Sequence, residues 1–386
     1  MRVHVVDPSA YTPPYDHALC QALGHAGAEV ELFTSRFAYG DVAPAERYAR
    51  REFFYRAAVG APGSRLRRAA KLAAHVPDML RYRRAARAAD IVHFQWLGVQ
   101  HLDGHLLPRR RSPAAAGRPT AQGPGPARAR PKLVLTAHDV LPREPRRGQL
   151  AAQRRLYERF DAIVVHSEHG RGRLTGELGV DPARVHTIPH GVFAHLAQGP
   201  PAPPPHETDK PVVLFFGLLR PYKGLEILLD AWRGRGTPPA GAELWIAGMP
   251  RMDIVTLQRA APANVRFDAR FIPDSDLPAY FQRADLVVLP YLQADQSGVL
   301  FTALAFGKPL LLSDVGGFPE VAATGAARTV PAGDPVALRE ALRELLADPA
   351  ARAKMAVAAR AAADGRYAWE TVARAHLALY ERLLGG

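Results

Sequence analysis

The feature that most constrains this chain is a rhythm that occurs twice. Short apolar runs separated by helical stretches extend through the first half, at Val3 to Val6, Ala18 to Leu23, Val30 to Phe33, Ile91 to Phe94, Leu133 to Thr136 and Ile163 to His166. They begin again at Val212 to Phe216 and continue through Leu225 to Trp232, Leu244 to Ala247, Val265 to Phe267, Leu286 to Pro290, Phe301 to Phe306 and Leu310 to Leu312. Runs this short, alternating with helices, are how the buried strands of a parallel sheet with crossover helices read. Between the two series, Gln198-Gly199-Pro200-Pro201-Ala202-Pro203-Pro204-Pro205 can form neither helix nor sheet interior and suits a semi-rigid connector. The spacing therefore predicts two α/β domains with doubly wound parallel sheets, residues 1–196 and 212–367, joined by a proline-rich linker at 197–211. A final helix over 368–386 carries Val372, Leu377, Leu379, Tyr380, Leu383 and Leu384 near helical spacing and must pack on something. Two such sheets make a cleft, and their ligands sit at the carboxyl ends of the strands.

Composition narrows the chemistry. The formal net charge of +13 over 386 residues favours an acidic partner: phosphate, nucleotide, nucleic acid or anionic lipid. The single cysteine, Cys20, excludes an intrachain disulfide framework and a thiolate-rich metal site, and suits a reducing cytoplasm. No run reaches the ~18 apolar residues of a membrane span, and Met1-Arg2-Val3-His4-Val5-Val6-Asp7 reads as a strand rather than a signal peptide, so a cytoplasmic protein is expected. Two basic regions stand out: the acid-free, Pro- and Gly-rich segment Arg109 to Arg130, expected to be a flexible loop, and the helical stretch from Arg65 through Arg87. Each is by default a solvated surface, and each is also suited to anionic lipid at the membrane face.

Two turns in the second domain carry the most chemistry. Phe216-Gly217-Leu218-Leu219-Arg220-Pro221-Tyr222-Lys223-Gly224 follows a strand and precedes a helix, bringing two cations and helix-start N–H groups to one point, a combination that binds phosphate. Tyr291-Leu292-Gln293-Ala294-Asp295-Gln296-Ser297-Gly298-Val299 is again a strand end, a small polar turn and a helix start. Other chemistries are excluded. The histidines at 4, 93 and 138 lie on different strands without metal-ligand spacing. His166-Ser167-Glu168-His169 lacks a Gly-x-Ser-x-Gly elbow, and Asp7-Pro8-Ser9-Ala10-Tyr11 lacks the glycines of a dinucleotide fingerprint.

At these residues the chain resembles family 4 glycosyltransferases of the GT-B type, along essentially its whole length. The likeness is carried by Pro221-Tyr222-Lys223-Gly224, Ile188-Pro189-His190-Gly191-Val192, Leu244-Trp245-Ile246-Ala247-Gly248, and Ala303 to Pro309 followed by Val315-Gly316-Gly317. The resemblance implies a hexosyltransferase-like enzyme that retains anomeric configuration, needs no metal or cofactor, and closes over its donor to exclude water. It implies a nucleotide-diphosphate sugar such as a UDP- or GDP-sugar, held mainly by the second domain, and a carbohydrate, lipid-linked or small-molecule acceptor held mainly by the first. Arg220 and Lys223 would then neutralise the leaving diphosphate, with Gln296, Ser297, Gly298 and Val299 offering backbone contacts. Asp295 and Thr302 would face the donor sugar and ribose, His138 the reacting sugar, and Tyr15, Asp16 and Asp139 the acceptor. Asp16 reads equally well as the N-cap of a helix beginning at His17, and Asp139 as a helix cap or an orienting partner of His138.

The chain departs from the family pattern in three places. The acidic pair spaced eight apart aligns with Ala294 and Thr302, neither acidic; the basic residue of the phosphate turn falls at Arg220 rather than at Leu218; and Tyr15-Asp16 stand where paired glycines are usual. A nucleotide-sugar-binding protein without turnover is therefore one alternative. A polyanion- or nucleic-acid-binding protein is another, disfavoured because the basic runs carry little aromatic residue beyond Tyr82.

Overall fold

The computed structural model describes residues 1–37, 42–61, 64–108, 130–141, 147–233 and 241–385. The basic segment from Arg109 to Arg130 lies, except for Arg130 itself, outside the described residues.

Most of the apolar runs form strands because β-branched and aromatic residues stack in a sheet covered on both faces, whereas Ala18 to Leu23, Leu225 to Trp232 and Phe301 to Ala305 lie in helices. The first sheet contains β1 (Arg2–Asp7), β2 (Glu29–Thr34), β3 (Ala49–Glu52), β4 (Ile91–Phe94), β5 (Lys132–Thr136), β6 (Ala162–Val165) and β7 (Val185–Thr187), in the order β3-β2-β1-β4-β5-β6-β7. The second contains β8 (Val212–Phe216), β9 (Glu243–Ala247), β10 (Val265–Asp268), β11 (Leu286–Leu289), β12 (Leu310–Ser313) and β13 (Ala327–Val330), ordered β10-β9-β8-β11-β12-β13. Pairing is parallel, with Val5 opposite Leu32 and His93, and Leu214 opposite Trp245 and Val287. In each sheet the strand order reverses beside the first strand, between β1 and β4 and between β8 and β11. That reversal leaves a crevice at the carboxyl ends, where ligands of such sheets bind.

Three strands that the apolar runs did not announce, β3, β7 and β13, each stand at a sheet edge. An edge strand is covered on fewer sides and tolerates polar residues, as Ala49-Arg50-Arg51-Glu52 shows. The central strands are closed on both faces. Helix Leu225–Arg233 lays Leu225, Leu228, Leu229 and Trp232 against one face of the second sheet, each burial contributing about 1.5–3 kcal/mol. Trp245, Phe281, Phe301 and Tyr367 close the other.

The chain divides into two compact units, residues 1–165 with 171–188 and 372–386, and residues 166–170 with 189–371. The crossing therefore falls at Ile188–Pro189, and the proline-rich segment 197–211 belongs to the second unit. Polar contacts hold it there: Ala202 N–H donates to Gln282 Oε1 at 2.9 Å, Arg283 donates to the Thr208 carbonyl at 2.8 Å, and His206 meets Asp268 at 3.0 Å. The last helix, Trp369–Gly385, runs into the first unit from Val372 onward. It buries Val372, Leu379 and Tyr380 as its spacing predicts, whereas Leu384 is exposed. Its anchor is His93 at the centre of β4, whose Nδ1 lies 2.7 Å from the Tyr380 hydroxyl and whose Nε2 lies 2.7 Å from Thr136 Oγ1.

The basic helix Arg65–Ala85 is seated by a buried polar chain. His75 lies between the Tyr55 hydroxyl at 2.7 Å and Asp103 Oδ1 at 2.5 Å. Its arginines and Leu66, Leu72 and Leu80 are left on the outer side, Arg67 and Arg83 partly covered. Among the described residues, no helix is long and apolar enough to cross a membrane.

Candidate active site

In the second unit, β8 ends at Phe216 and the chain turns at Gly217, whose φ of +107° few side chains tolerate. Leu219 N–H donates to the Met249 carbonyl at 3.0 Å, and a 3₁₀ turn over Pro221–Lys223 leads through Gly224 into helix Leu225–Arg233. Gly224, at φ +70°, is locked in place: a Cβ there would lie 1.9 Å from the Pro290 carbonyl oxygen at the end of β11. The Tyr222 carbonyl accepts from Leu292 N–H at 2.8 Å, so this turn and the loop after β11 are fixed to each other at the point where the strand order reverses.

Lys223 is buried there, 7% exposed. Its ammonium lies 5.0 Å over the Tyr291 ring and 2.8 Å from where a Cβ on Gly217 would sit, with Val299 Cγ2 3.0 Å from that same point. Lys223 makes no ion pair with any described carboxylate. A cation on a largely buried side chain without a counter-ion is suited to pairing with an anion. Arg220 begins the same turn and is exposed, its guanidinium free of partners among the described residues. The helix Gly298–Ala305 opens beside Lys223. Its N-cap residue Ser297 directs its hydroxyl to Tyr291 at 3.3 Å instead of capping, and the first-turn N–H groups of a helix have no acceptor within it.

The remaining second-unit candidates lie on the loop after β11 and on the helix that follows it. Gln296 donates from Nε2 to the His166 carbonyl at 3.4 Å and packs over Gly317. Asp295 is half-buried, and its carbonyl accepts from Gly317 N–H at 3.2 Å. Thr302 is buried, its hydroxyl donating to the Gly298 carbonyl at 3.0 Å. The Gly316-Gly317 pair is required by close approach, since a Cβ on Gly316 would lie 1.8 Å from the Ala294 carbonyl oxygen. His190 of the Ile-Pro-His-Gly motif stacks on Phe301 at 4.4 Å and donates from Nδ1 to the Gly191 carbonyl at 2.6 Å. Burial, with His166 nearby, pushes its imidazole down to about 3, so it is a neutral packing element at ordinary pH.

In the first unit, Asp7 ends β1 and organises the loop that follows. Its carboxyl accepts from Ser9 N–H at 3.1 Å, Thr12 N–H at 3.3 Å and also Tyr11 N–H. Helix Pro13–His25 begins here, with prolines in its first two positions, four residues before the expected start at His17. Asp16 is thus inside the first turn, not an N-cap. It is buried against Asp7, and burial together with the neighbouring carboxyl raises it well above the usual carboxylate range. Burial likewise pushes the Tyr15 phenol up. His138, two residues past β5, stacks on Trp96 at 5.0 Å, meets the edge of Tyr15 at 4.7 Å, and places Nε2 3.2 Å from Gln95 Oε1. Asp139 beside it is exposed.

The structure thus gathers Lys223, Val299 and the start of the Gly298 helix around one point of the second unit, and Tyr15 and His138 around one point of the first. Sequence reasoning missed Asp7, Gln95 and Trp96. Their signal was position alone, directly after the apolar runs of β1 and β4. Among the described residues, no group of three or more His, Cys, Asp or Glu is placed to hold a metal ion.

Comparison with known families fits this geometry. Residues 15–194 match the model described as Glycosyltransferase Family 4, and residues 210–348 match Glycosyl transferases group 1. The chain belongs to the family 4 glycosyltransferases. The chain is 28% identical over 276 residues to a D-inositol 3-phosphate glycosyltransferase of Kineococcus radiotolerans, covering 61% of this chain and 60% of that one. The chain spans 51–60% of the length of the curated relatives it matches. Its fold, GT-B with two Rossmann-like domains, is that of sucrose-phosphate synthase from Thermosynechococcus elongatus, with TM-score 0.72, 20% identity, and 100% and 99% of the two chains covered. It is also that of Anabaena HepE, solved in complex with UDP-glucose, with TM-score 0.69, 17% identity, and 100% and 99% covered.

Proposed function

We propose that this glycosyltransferase moves a sugar from a nucleoside-diphosphate donor, bound by the second unit, to a hydroxyl of an acceptor bound by the first, with retention of anomeric configuration. The observation that carries the reading is Lys223, a buried residue lacking a carboxylate partner among the described residues, whose ammonium lies between Gly217 and the first turn of the Gly298 helix. A diphosphate there would accept from Lys223, from the guanidinium of Arg220 and from the backbone N–H groups of Gly298 and Val299. In the reaction the bond between the anomeric carbon and the phosphate oxygen breaks, and its electron pair stays on the diphosphate. The acceptor oxygen then bonds to the same face of the anomeric carbon, and its proton passes to the departing phosphate. Fixed cations at that oxygen lower the barrier because charge develops there in the transition state.

His138, held by Trp96, Tyr15 and Gln95, would hydrogen-bond a sugar hydroxyl, and Asp295 and Thr302 would border the donor sugar and ribose. Asp16, through Asp7, would act on the acceptor loop rather than on the acceptor itself. The UDP-glucose complex of the Anabaena structure supports a nucleotide-sugar donor, and the Kineococcus relative's name supports a polyol phosphate among candidate acceptors. Peripheral attachment to anionic membrane is supported by the outward arginines and leucines of helix Arg65–Ala85.

A second reading, nucleotide-sugar binding without turnover, is favoured by Ala294 and by the Thr302 hydroxyl, already engaged by Gly298. Thermal shift and calorimetric titration with a panel of nucleoside diphosphates and nucleotide sugars test both, with Arg220→Ala and Lys223→Ala beside the wild type. Selective stabilisation lost in both variants is expected. Stabilisation with no nucleoside diphosphate released over time supports the second reading, and no stabilisation by any member overturns both.

A further inference from the structure

We propose that the first unit holds a second anion site, for a small organic phosphate, in a pocket at the amino-terminal ends of β5, β6 and β7. The site does not depend on the donor reading, because the crevice of this sheet lies at the carboxyl ends of the same strands. β5 alone, from Lys132 to Thr136, sets the two ends roughly 13 Å apart.

The pocket measures about 630 Å³, within the usual range of small-molecule sites, roughly 300–1,000 Å³. Its position follows from the strand starts: Lys132 opens β5, Asp161 directly precedes β6 and Arg184 directly precedes β7. Leu107, Leu133 and Phe160, all buried, give it an apolar wall. Four cations, Arg130, Lys132, Arg159 and Arg184, line it beside that wall.

These cations outnumber the carboxylates of the lining, Glu158 and Asp161, and both carboxylates are already engaged. Asp161 Oδ2 accepts from Leu133 N–H at 2.8 Å, and Glu158 Oε1 accepts from Nε of Arg154, which does not line the pocket, at 3.1 Å. Arg184 is anchored by donating to the Glu158 carbonyl at 3.2 Å. Lys132 is half-buried and, like the exposed Arg159, makes no ion pair with any described carboxylate. Pro108 and Arg130 both line the pocket, and the chain between them brings no compensating anion, since residues 109–129 contain neither Asp nor Glu.

Guanidinium and ammonium groups gathered on one pocket favour phosphate oxygens, which a planar guanidinium grips in pairs. An inorganic phosphate would leave the apolar wall in water, and an alkyl chain would leave the cations without a partner. A single nucleic-acid strand needs aromatic faces to stack on, and the one aromatic ring of the lining, Phe160, is 1% exposed. A phosphate carried on a small organic body satisfies both the cations and the wall.

Calorimetric titration of the full chain tests this, in a Lys223→Ala background that weakens the donor site. The probes are glucose 6-phosphate and phenyl phosphate, with glucose and inorganic phosphate as controls. At least one organic phosphate should bind saturably, more weakly as salt is raised, and roughly tenfold more tightly than inorganic phosphate, the contribution of the apolar wall. Glucose should not bind. Lys132→Ala and Arg159→Ala should each weaken the organic phosphate roughly tenfold, the loss of one charge-assisted contact, and both variants should keep the Tm of their parent. Absence of saturable binding by both organic phosphates overturns the proposal. Unchanged affinity in the Lys132→Ala, Arg159→Ala double variant overturns it as well, since the phosphate then sits elsewhere. Nucleoside diphosphate titration of the wild-type chain reads the donor site separately, so that its failure removes the donor reading and leaves this site standing.

Discussion

Substituting Gly217 tests the anion cradle without removing either cation. The residue has φ +107°, and an alanine Cβ would lie 2.8 Å from Lys223 Nζ and 3.0 Å from Val299 Cγ2. Backbone in this region costs a non-glycine residue on the order of 1–3 kcal/mol, and the methyl must also displace the ammonium, since the flexible end of the lysine yields before the helix does. The domain should stay folded, with Tm lowered by roughly 2–10 °C. The displaced ammonium would lose a charge-assisted hydrogen bond to phosphate, about 1.5–3 kcal/mol, or roughly 10- to 150-fold in Kd. Isothermal titration of Gly217→Ala, Lys223→Met and the double variant with a nucleoside diphosphate measures this. The single variants should weaken binding by similar factors, and the double variant should add little to Lys223→Met because both act through one contact. A folded Gly217→Ala protein that binds with wild-type affinity would refute the reasoning, as would an unchanged affinity in Lys223→Met.

Two further predictions concern stability and surface. His190 is neutral and buried, with its imidazole at about 3 against 6.5 when unfolded, so the unfolded chain gains a proton first on acidification and stability falls as pH drops from about 6.5 towards 3. By pH 5 the loss from this residue should be about 2 kcal/mol. Urea unfolding of the wild type and His190→Phe between pH 7 and 5 should show a steeper decline in the wild type, and equal slopes would remove the assignment. The outward Arg65, Leu66, Arg68, Leu72 and Arg84 of helix Arg65–Ala85 should give co-sedimentation with anionic vesicles that weakens at high salt. Vesicle binding that is absent or insensitive to salt would end the membrane reading.

The sequence by itself determined the two-sheet architecture, because central parallel strands must be apolar on both faces and so announce themselves as runs such as Val212 to Phe216. It also determined the two turns of the second unit, because each is a short local segment between a strand and a helix, marked by glycine. What it left open was set by residues far apart in the chain. Edge strands β3, β7 and β13 carry no apolar signature because a sheet edge does not demand one. The proline-rich segment reads as a connector until its polar contacts with Gln282, Arg283 and Asp268 place it in the second unit. Asp16 looks like a helix cap beside a loop, and only the packing of β1 against the first helix turns it into a buried neighbour of Asp7, with its carboxyl raised well above the usual range. The Tyr11, Trp96 and His138 stack joins three loops separated by 85 and 42 positions. Strand order alone brings their ends side by side, and no local spacing records strand order.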